Sequence, residues 1–181
     1  MSARFHVRTV VQEEELHSMS QLYDDVWNSS ESSTIQERMK LHYEYEGFLG
    51  LRVIGPKDEL YGFVYGYTSK PGQYYHERLK SNLPSPIYDQ WLSSCFELSE
   101  LVVHPSARRK GVARYLLEHI TTVVRHDTAI LTTQETNKKA RALYEQLGWQ
   151  TISETFYPSS LLEPYVIMGK DLEEADGVPS I

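Results

Sequence analysis

The stretch that decides the fold of this chain is LVVHPSARRKGVARYLL, residues 101–117. An apolar strand ends at Val103, a short basic turn follows, and a helix begins at or just before Gly111. The first N–H groups of a helix have no partners inside it, and the helix dipole adds positive potential there. Glycine at this position and Ala113 leave those N–H groups accessible. The basic residues of the turn are Arg108, Arg109 and Lys110. The stretch therefore predicts a turn that binds a pyrophosphate group.

Two other phosphate-binding loops are excluded by the same stretch. A Walker loop needs a Lys-Ser/Thr pair after its second glycine, and a dinucleotide fingerprint needs three glycines. Residues 101–117 contain neither pattern. One alternative stays open, because so short a motif also fits a basic helix N-terminus with a glycine turn and no ligand.

The charge of the chain is distributed unevenly around this turn. Between Arg108 and Arg141, eight basic residues stand against three acidic ones, so the segment has a net charge of +5. The whole chain has a formal charge of −7, which leaves −12 for the rest. A net acidic chain speaks against a general nucleic-acid binder, whereas a local basic segment suggests a polyanionic ligand. Two solvated basic helix faces are the alternative explanation.

Composition limits the other classes of protein and site. No run of 18 apolar residues is present, and residues 1–16 lack the features of a secretory signal. We therefore expect a cytoplasmic protein without a membrane partner. The seven histidines form no HExxH motif or tight His/Cys cluster, so no metal site is predicted. The single cysteine, Cys95, is expected to be a small buried side chain rather than a nucleophile.

Strands and helices alternate along the chain without internal repeats. Residue patterns predict strands at 4–11, 48–55, 59–68, 95–103, 128–133, 149–157 and 164–172. Helices are predicted at 12–28, 34–46, 109–126 and 136–147. In the third strand, one face carries Tyr61, Phe63, Tyr65 and Tyr67, and glycines lie on the other. Residues 69–92 contain three prolines and are predicted to be irregular around one short helix.

Two motifs in the expected order resemble those of the GNAT superfamily of N-acetyltransferases. The first family motif is Val-x-Pro-x-x-Gln/Arg-x-x-Gly-x-Gly/Ala, and its defined places are filled here by Val103, Pro105, Arg108, Gly111 and Ala113. Residues 135–149, ETNKKARALYEQLGW, resemble the second motif through Asn137, Ala140, Tyr144, Gly148 and Trp149. The resemblance covers roughly residues 4–171.

This resemblance implies the fold and the domain organisation. The expected fold is α/β (α+β), with a mixed, mostly antiparallel sheet of about seven strands and helices on both faces. The sheet is expected to be splayed at the cofactor site. Residues 1–171 are expected to form a single acetyltransferase domain, followed by an acidic flexible tail at 172–181. A homodimer is also implied by the resemblance alone.

The resemblance also implies acetyl-CoA as the acyl donor and gives its contacts residue by residue. The pyrophosphate is expected on the turn and the helix start, formed by Arg108, Arg109, Lys110, Gly111, Val112 and Ala113. The pantetheine arm is expected alongside the strand end, formed by Leu101, Val102 and Val103. Asn137 is expected to contact the pantetheine or the phosphate side.

Acetyl transfer to an amine calls for a base and a proton donor. A primary amine is mostly protonated at neutral pH, so its attack on a thioester needs a base. Glu97 and Glu100 lie on opposite faces of a regular strand, and the resemblance favours Glu97 unless a bulge exchanges the faces. Either carboxylate could instead only pair with a basic neighbour. Tyr144 falls where GNAT enzymes place the donor to the CoA thiolate, with core packing as the alternative.

The predicted function is the direct transfer of an acetyl group from acetyl-CoA to a primary amine. The charge of −12 outside the basic segment favours a cationic acceptor. Two alternatives stay open: a CoA-binding module without turnover, and an acyltransferase that uses a longer acyl-CoA. Neither nucleic acid nor a membrane is an expected partner.

Overall fold

The computed structural model describes residues 6–28, 32–159 and 163–172, and in this part of the chain seven strands form one mixed sheet. The strands are β1 (His6–Thr9), β2 (Leu49–Ile54), β3 (Leu60–Thr68), β4 (Cys95–Val103), β5 (Thr128–Gln134), β6 (Gln150–Phe156) and β7 (Tyr165–Asp171). Their order in the sheet is β1-β2-β3-β4-β5-β7-β6. Strands β4 and β5 run parallel, whereas β1–β2, β2–β3, β5–β7 and β6–β7 are antiparallel. The predicted seven-stranded, mixed and mostly antiparallel sheet is confirmed; its splay stays a prediction.

Six α-helices occur in the described part of the chain. They are α1 (Glu15–Trp27), α2 (Ser32–Tyr43), α3 (Tyr74–Asn82), α4 (Ser85–Leu92), α5 (Val112–Val123) and α6 (Lys138–Gln146). A single 3-10 turn, Pro105–Ala107, lies between β4 and α5.

The described residues form two compact units. The first contains the described residues up to Tyr67 together with Leu98–Ile120, and the second contains Thr68–Glu97 and the described residues from Thr121 on. The core of the first unit packs α1 and α2 against one face of β3. Its central members are Leu16, Met19, Met39, Phe63, Tyr65 and Tyr67, all 2% exposed or less. Three residues of the aromatic face predicted for β3 therefore lie under the helices, whereas Tyr61 is not part of this core and Leu60 packs against it instead.

The other face of β3 lies very close to the region where β4 ends and α5 begins. A Cβ atom on Gly62 would lie 2.8 Å from the Val102 carbonyl oxygen and 3.1 Å from Cγ1 of Val112. The His104 N–H also donates to the Tyr61 carbonyl at 2.8 Å. Only glycine permits this approach, which fixes the position of the basic turn that follows β4.

The second unit packs α3 and α4 over β4, β5, β6 and β7. Its core combines helix residues with strand residues: Leu79, Leu83, Leu92, Cys95, Ile130, Phe156 and Ile167. Cys95, Phe96 and Glu97 pair in parallel with Thr128, Ala129 and Ile130. The beginning of β4 is therefore a buried strand of this unit.

The prediction for residues 69–92 was wrong in one respect, because this segment contains two helices rather than one short one. Pro84 lies at the N-cap of α4 and Pro86 in its first turn. A proline there removes no helical hydrogen bond, since the first N–H groups have no partner inside the helix. The prolines therefore mark the start of α4, and Leu79 and Leu92 anchor the two helices in the core.

The ends of the chain are described only in part. Of the predicted tail, Leu172 alone is described: its side chain is buried and its N–H donates to the Asp127 carbonyl at 2.8 Å. Residues 173–181 lie outside the described residues. No helix within the described ranges is long and apolar enough to cross a membrane. The prediction of a single domain over residues 1–171 stays a prediction.

Candidate active site

The basic turn after β4 is held by its own short-range hydrogen bonds. Nδ1 of His104 accepts from the Ser106 N–H at 3.1 Å, and the Ala107 N–H donates to the His104 carbonyl at 2.9 Å. The Ala107 side chain is fully buried. These contacts anchor the turn on one side and leave the following residues to face solvent.

Residues 108–113, here called the cradle, contain two left-handed backbone conformations. Arg109 has φ of +62° and Gly111 has φ of +80°. Helix α5 therefore begins at Val112, later than the predicted residue 109, because left-handed residues do not continue a right-handed helix. A Cβ atom on Gly111 would meet nothing within 4 Å, so the space in front of the helix start is open.

The cradle fits a pyrophosphate group by shape and by charge. The three basic side chains, Arg108, Arg109 and Lys110, are exposed, and Nζ of Lys110 lies 5.4 Å from the centre of the Tyr61 ring. The first N–H groups of α5 have no partner inside the helix and point toward its beginning. Of the strand residues before the cradle, Val102 is buried, whereas Leu101 and Val103 are half-buried.

Asn137 begins α6 and acts as its N-cap. Its side-chain oxygen accepts from the Ala140 N–H at 3.3 Å, which satisfies one of the N–H groups at the helix start. This bond gives the asparagine of the second motif a structural role at the start of α6. The neighbouring Lys138 and Lys139 are exposed.

Tyr144 lies near the end of α6 and is 8% exposed. Its ring centre lies 6.1 Å from that of Trp149, and the Trp149 N–H donates to the Tyr144 carbonyl at 3.0 Å. Gly148, with φ of +87°, turns the chain between these two residues. The second motif therefore fixes the position of the Tyr144 side chain through the helix end and the adjacent tryptophan.

The sequence profile of the acetyltransferase (GNAT) family matches residues 14–149, which span α1 to the start of β6 and include the cradle and α6. The chain belongs to the GNAT family. The members of this family are acetyl-CoA-dependent acetyltransferases, as the two motifs indicate.

Known GNAT proteins are similar to this chain in sequence or in fold. A GCN5-like protein acetyltransferase of Mycobacterium tuberculosis is 29% identical over 119 residues, which are 61% of this chain and 58% of that protein. The chain therefore spans little more than half the length of that curated relative. A putative GNAT acetyltransferase structure from Desulfovibrio desulfuricans has a TM-score of 0.69 at 15% identity, covering 93% of this chain and 99% of the other. Mutant forms of a spermidine/spermine N-acetyltransferase from Vibrio cholerae give 0.65 at 16% identity, covering 98% and 100%. Similarity at these identities establishes the GNAT fold.

Glu97, one of the two candidate bases of this GNAT protein, is 3% exposed and lies in a hydrogen-bonded network of the second unit. The Ser69 hydroxyl donates to Oε2 of Glu97 at 3.1 Å. The same hydroxyl lies 2.9 Å from Nδ1 of His76, whose Nε2 lies 2.9 Å from the Tyr88 hydroxyl. Sequence reasoning missed Ser69, His76 and Tyr88, because they lie in the segment predicted to be irregular.

Glu100, the other candidate, forms an ion pair with Arg38 of α2 in the first unit. Burial raises the pKa of Glu100 to about 7, although the Arg38 guanidinium lowers it. Burial and the same guanidinium lower the pKa of His42 to about 4. Nδ1 of His42 lies 3.0 Å from the Tyr65 hydroxyl. Arg38 was also missed, since a basic residue on a polar helix face gives no sequence signal of its partner.

The two carboxylates have different partners: Ser69 for Glu97 in the second unit, and Arg38 for Glu100 in the first. In the first unit, the Ser99 hydroxyl also donates to the Tyr65 hydroxyl at 3.4 Å, and the Glu100 charge acts on Tyr65. The bulge in β4 that would exchange the two strand faces stays a prediction.

Other chemistries find little support in the described residues. Cys95 is 1% exposed, and burial raises the pKa of its thiol well above the usual range, so the reactive thiolate is strongly disfavoured. The expectation of a buried cysteine is confirmed. Within the described ranges, no group of three or more His, Cys, Asp or Glu side chains could hold a metal ion.

Proposed function

We propose that this GNAT enzyme transfers the acetyl group of acetyl-CoA directly to a primary amine of a cationic acceptor. The observation that carries the proposal is the open turn at Arg109 and Gly111, which exposes the start of α5 behind three basic side chains. A pyrophosphate suits such a turn because it accepts hydrogen bonds and carries negative charge.

Acetyl-CoA is a substrate in this proposal, and the cradle holds its pyrophosphate. The backbone N–H groups of residues 109–113 donate to the phosphate oxygens, and the side chains of Arg108, Arg109 and Lys110 add positive charge. The strand residues Leu101, Val102 and Val103 flank the pantetheine arm. Asn137, whose side-chain oxygen caps α6, offers its amide nitrogen to the pantetheine or the phosphate side.

The acceptor is proposed to be cationic because of the charge of the chain. Outside the basic segment Arg108–Arg141, the chain carries a net charge of −12, which attracts cations and repels anions. The relative from Mycobacterium tuberculosis is described as a protein acetyltransferase, and the neighbour from Vibrio cholerae acts on spermidine and spermine. Both names are compatible with a protonated primary amine as the acceptor.

A carboxylate on β4 is proposed to take the proton from the ammonium group of the acceptor. We prefer Glu97, in line with the family resemblance, because Ser69 is an uncharged partner, whereas Glu100 is engaged in an ion pair with the Arg38 guanidinium. Glu100 is the alternative, since a pKa of about 7 suits a base at neutral pH. Tyr144 is the proposed donor to the departing CoA thiolate, with its ring positioned beside Trp149.

The proposal is tested by measuring CoA release from acetyl-CoA with a panel of amines. The panel contains spermidine, spermine, a lysine peptide, an aminoglycoside and, as control, an amine of similar size flanked by carboxylates. We expect release with at least one cationic amine, none with the acidic control, and none from a Gly111→Glu variant. No release with any amine would favour a CoA-binding module, and release only from a longer acyl-CoA would favour the other alternative.

A homodimer and a cytoplasmic location stay predictions; light scattering tests the first.

A further inference from the structure

Four side chains of the second unit form an unbroken hydrogen-bonded chain that ends at Glu97. From the outside inward, the Tyr88 hydroxyl lies 2.9 Å from Nε2 of His76, and Nδ1 of His76 lies 2.9 Å from the Ser69 hydroxyl. The Ser69 hydroxyl is 3.1 Å from Oε2 of Glu97. The four residues come from α4, α3, the segment after β3, and β4. Residues so far apart in sequence meet here through one series of polar contacts.

Only the outer end of this hydrogen-bonded series, Tyr88, is appreciably exposed. Glu97, Ser69 and His76 are 3%, 5% and 1% exposed, whereas Tyr88 is only half-buried. A buried polar side chain is costly unless it is hydrogen-bonded, so three consecutive buried polar groups need a compensating arrangement. The series of hydrogen bonds from Glu97 to Tyr88 compensates these buried polar groups. Its outer end is Tyr88, which is partly exposed to solvent.

We propose that Ser69, His76 and Tyr88 form a proton relay that returns Glu97 to its carboxylate form after each acetyl transfer. The inference rests on the proposed function, with Glu97 as the base. It extends that function to three positioning residues, which act through Glu97 and contact neither the acceptor nor acetyl-CoA.

The protons of the relay can be assigned for each state of Glu97. With Glu97 as a carboxylate, Ser69 O–H donates to Oε2, Nδ1–H of His76 donates to Ser69, and Tyr88 O–H donates to Nε2. With Glu97 as an acid, all three bonds reverse: Glu97 donates to Ser69, Ser69 to Nδ1, and Nε2–H to Tyr88. The protonation state of Glu97 therefore determines which nitrogen of His76 carries the proton.

Release of the proton follows from the second arrangement and balances at every atom. The Glu97 O–H bond breaks as a Ser69 O–H bond forms, and the earlier Ser69 proton moves to Nδ1 of His76. The proton on Nε2 passes to the Tyr88 oxygen, and the earlier Tyr88 proton goes to water. The chain is then in the first arrangement, with one proton delivered to solvent and Glu97 ionised again.

The surroundings of His76 allow it to pass a proton without retaining it. Burial lowers the pKa of His76; the Glu77 carboxylate raises it and the Lys80 ammonium lowers it. Nζ of Lys80 also lies 5.6 Å from the centre of the Tyr88 ring. The Glu97 charge also acts on the thiol of Cys95, two residues before it on β4. A histidine that is neutral at pH 7 can both donate and accept, as a relay requires.

A purely structural network is the competing explanation, and Ser69 separates the two. Ser69→Ala removes the hydroxyl in the middle of the chain, and Ser69→Thr retains it. Tyr75→Phe is the matched control. Tyr75 lies on α3 next to His76, and its hydroxyl forms a hydrogen bond with Thr132 at 2.6 Å rather than with a member of the proposed relay. For the relay, we expect Ser69→Ala to lower kcat about 10-fold or more at neutral pH, by loss of proton transfer. KM for acetyl-CoA should not change, and high concentrations of imidazole buffer should restore part of the rate.

The same assay gives the results that would overturn the relay. Ser69→Thr and Tyr75→Phe should keep the wild-type pH profile, and Tyr88→Phe should lose rate in the same way as Ser69→Ala. If Ser69→Ala lowers only the melting temperature and leaves the pH profile unchanged, the network is structural and the relay is wrong. If Glu97→Gln is fully active, the proposed base is wrong instead, so the two failures are distinguishable.

Nuclear magnetic resonance of the His76 nitrogens tests the relay without turnover. At neutral pH we expect the proton on Nδ1 and an unprotonated Nε2 that accepts from the Tyr88 hydroxyl in the wild type. Glu97→Gln, which replaces the carboxylate by a group that can donate, should shift the population toward Nε2–H, and Ser69→Ala should abolish that response. An unchanged His76 spectrum in Glu97→Gln would overturn the proposal.

Discussion

The cradle can be tested with a pair of matched glycine substitutions, Gly111→Ala and Gly72→Ala. Both glycines are exposed, with φ of +80° and +94°, and at both a Cβ atom would meet nothing within 4 Å. Each alanine should therefore cost about 1–2 kcal/mol through the left-handed backbone and nothing through a clash. Only the methyl group at residue 111 would stand where the pyrophosphate approaches the start of α5.

The expected magnitude follows from ligand linkage. Acetyl-CoA at a hundred times its Kd should stabilise the wild type by about 2.7 kcal/mol. If the Gly111→Ala methyl group weakens binding tenfold, the same concentration should stabilise the variant by only about 1.4 kcal/mol. For a chain of this size, each kcal/mol corresponds to roughly 2–4 °C in Tm. The shift in Gly111→Ala should therefore be about half that of the wild type.

Thermal melts with and without acetyl-CoA measure this difference. The two variants should melt at similarly lowered temperatures without ligand, and Gly72→Ala should keep the full shift on adding acetyl-CoA. Gly111→Ala with the full shift would refute the assignment of the cradle. Equal loss of the shift in both variants would show that the effect comes from general destabilisation.

Three further predictions concern the candidate catalytic groups and the pH dependence of stability. Tyr144→Phe removes only the hydroxyl, so turnover should fall by about 10²–10⁴, while the Tm shift with acetyl-CoA stays that of the wild type. Glu97→Gln should lose most rate at neutral pH and recover partly as free amine becomes abundant at high pH, with Glu100→Gln nearly wild type. The fold lowers the pKa of His42 from 6.5 to about 4, so His42 is protonated at a higher pH in the unfolded protein than in the folded one. As the pH falls from 6.5 to 4, the free energy of unfolding, measured by urea denaturation, should therefore decrease less in His42→Gln than in the wild type.

Each of these has a definite contrary result. An unchanged rate in Tyr144→Phe would return this residue to a packing role against Trp149. Loss of rate in Glu100→Gln rather than Glu97→Gln would make Glu100 the base. A parallel loss of stability on acidification in His42→Gln and the wild type would mean that the buried imidazole does not contribute to acid unfolding.

Much of the fold follows from local sequence patterns. The strand Cys95–Val103 was predicted with its observed bounds, because a short, mostly apolar segment before a basic turn is typical of a buried strand. The helix after it was predicted three residues too early, since nothing in the residue types shows that Arg109 adopts a left-handed backbone. Only one of the two helices α3 and α4 was predicted, because the polar composition and the three prolines of residues 69–92 obscure the apolar periodicity that would reveal a second one.

Residues of the candidate site could be named from the sequence only where they lie within a short motif. The cradle and Tyr144 lie within two short motifs, so their residues could be named from the sequence. The partners of Glu97 and Glu100 could not be named from the sequence. Ser69 and Glu97 are 28 residues apart, and Arg38 and Glu100 are 62 apart. Such pairs are brought together by tertiary packing, for which no residue spacing gives a signal.

Mass spectrometry of the amine product tests the proposed function most directly. The protein is incubated with acetyl-CoA carrying an isotopic label in its acetyl group and with the best amine of the panel. We predict one labelled acetyl group on a primary nitrogen of the acceptor for each CoA released. CoA release without a labelled amine, or a label retained on the protein itself, would contradict direct transfer.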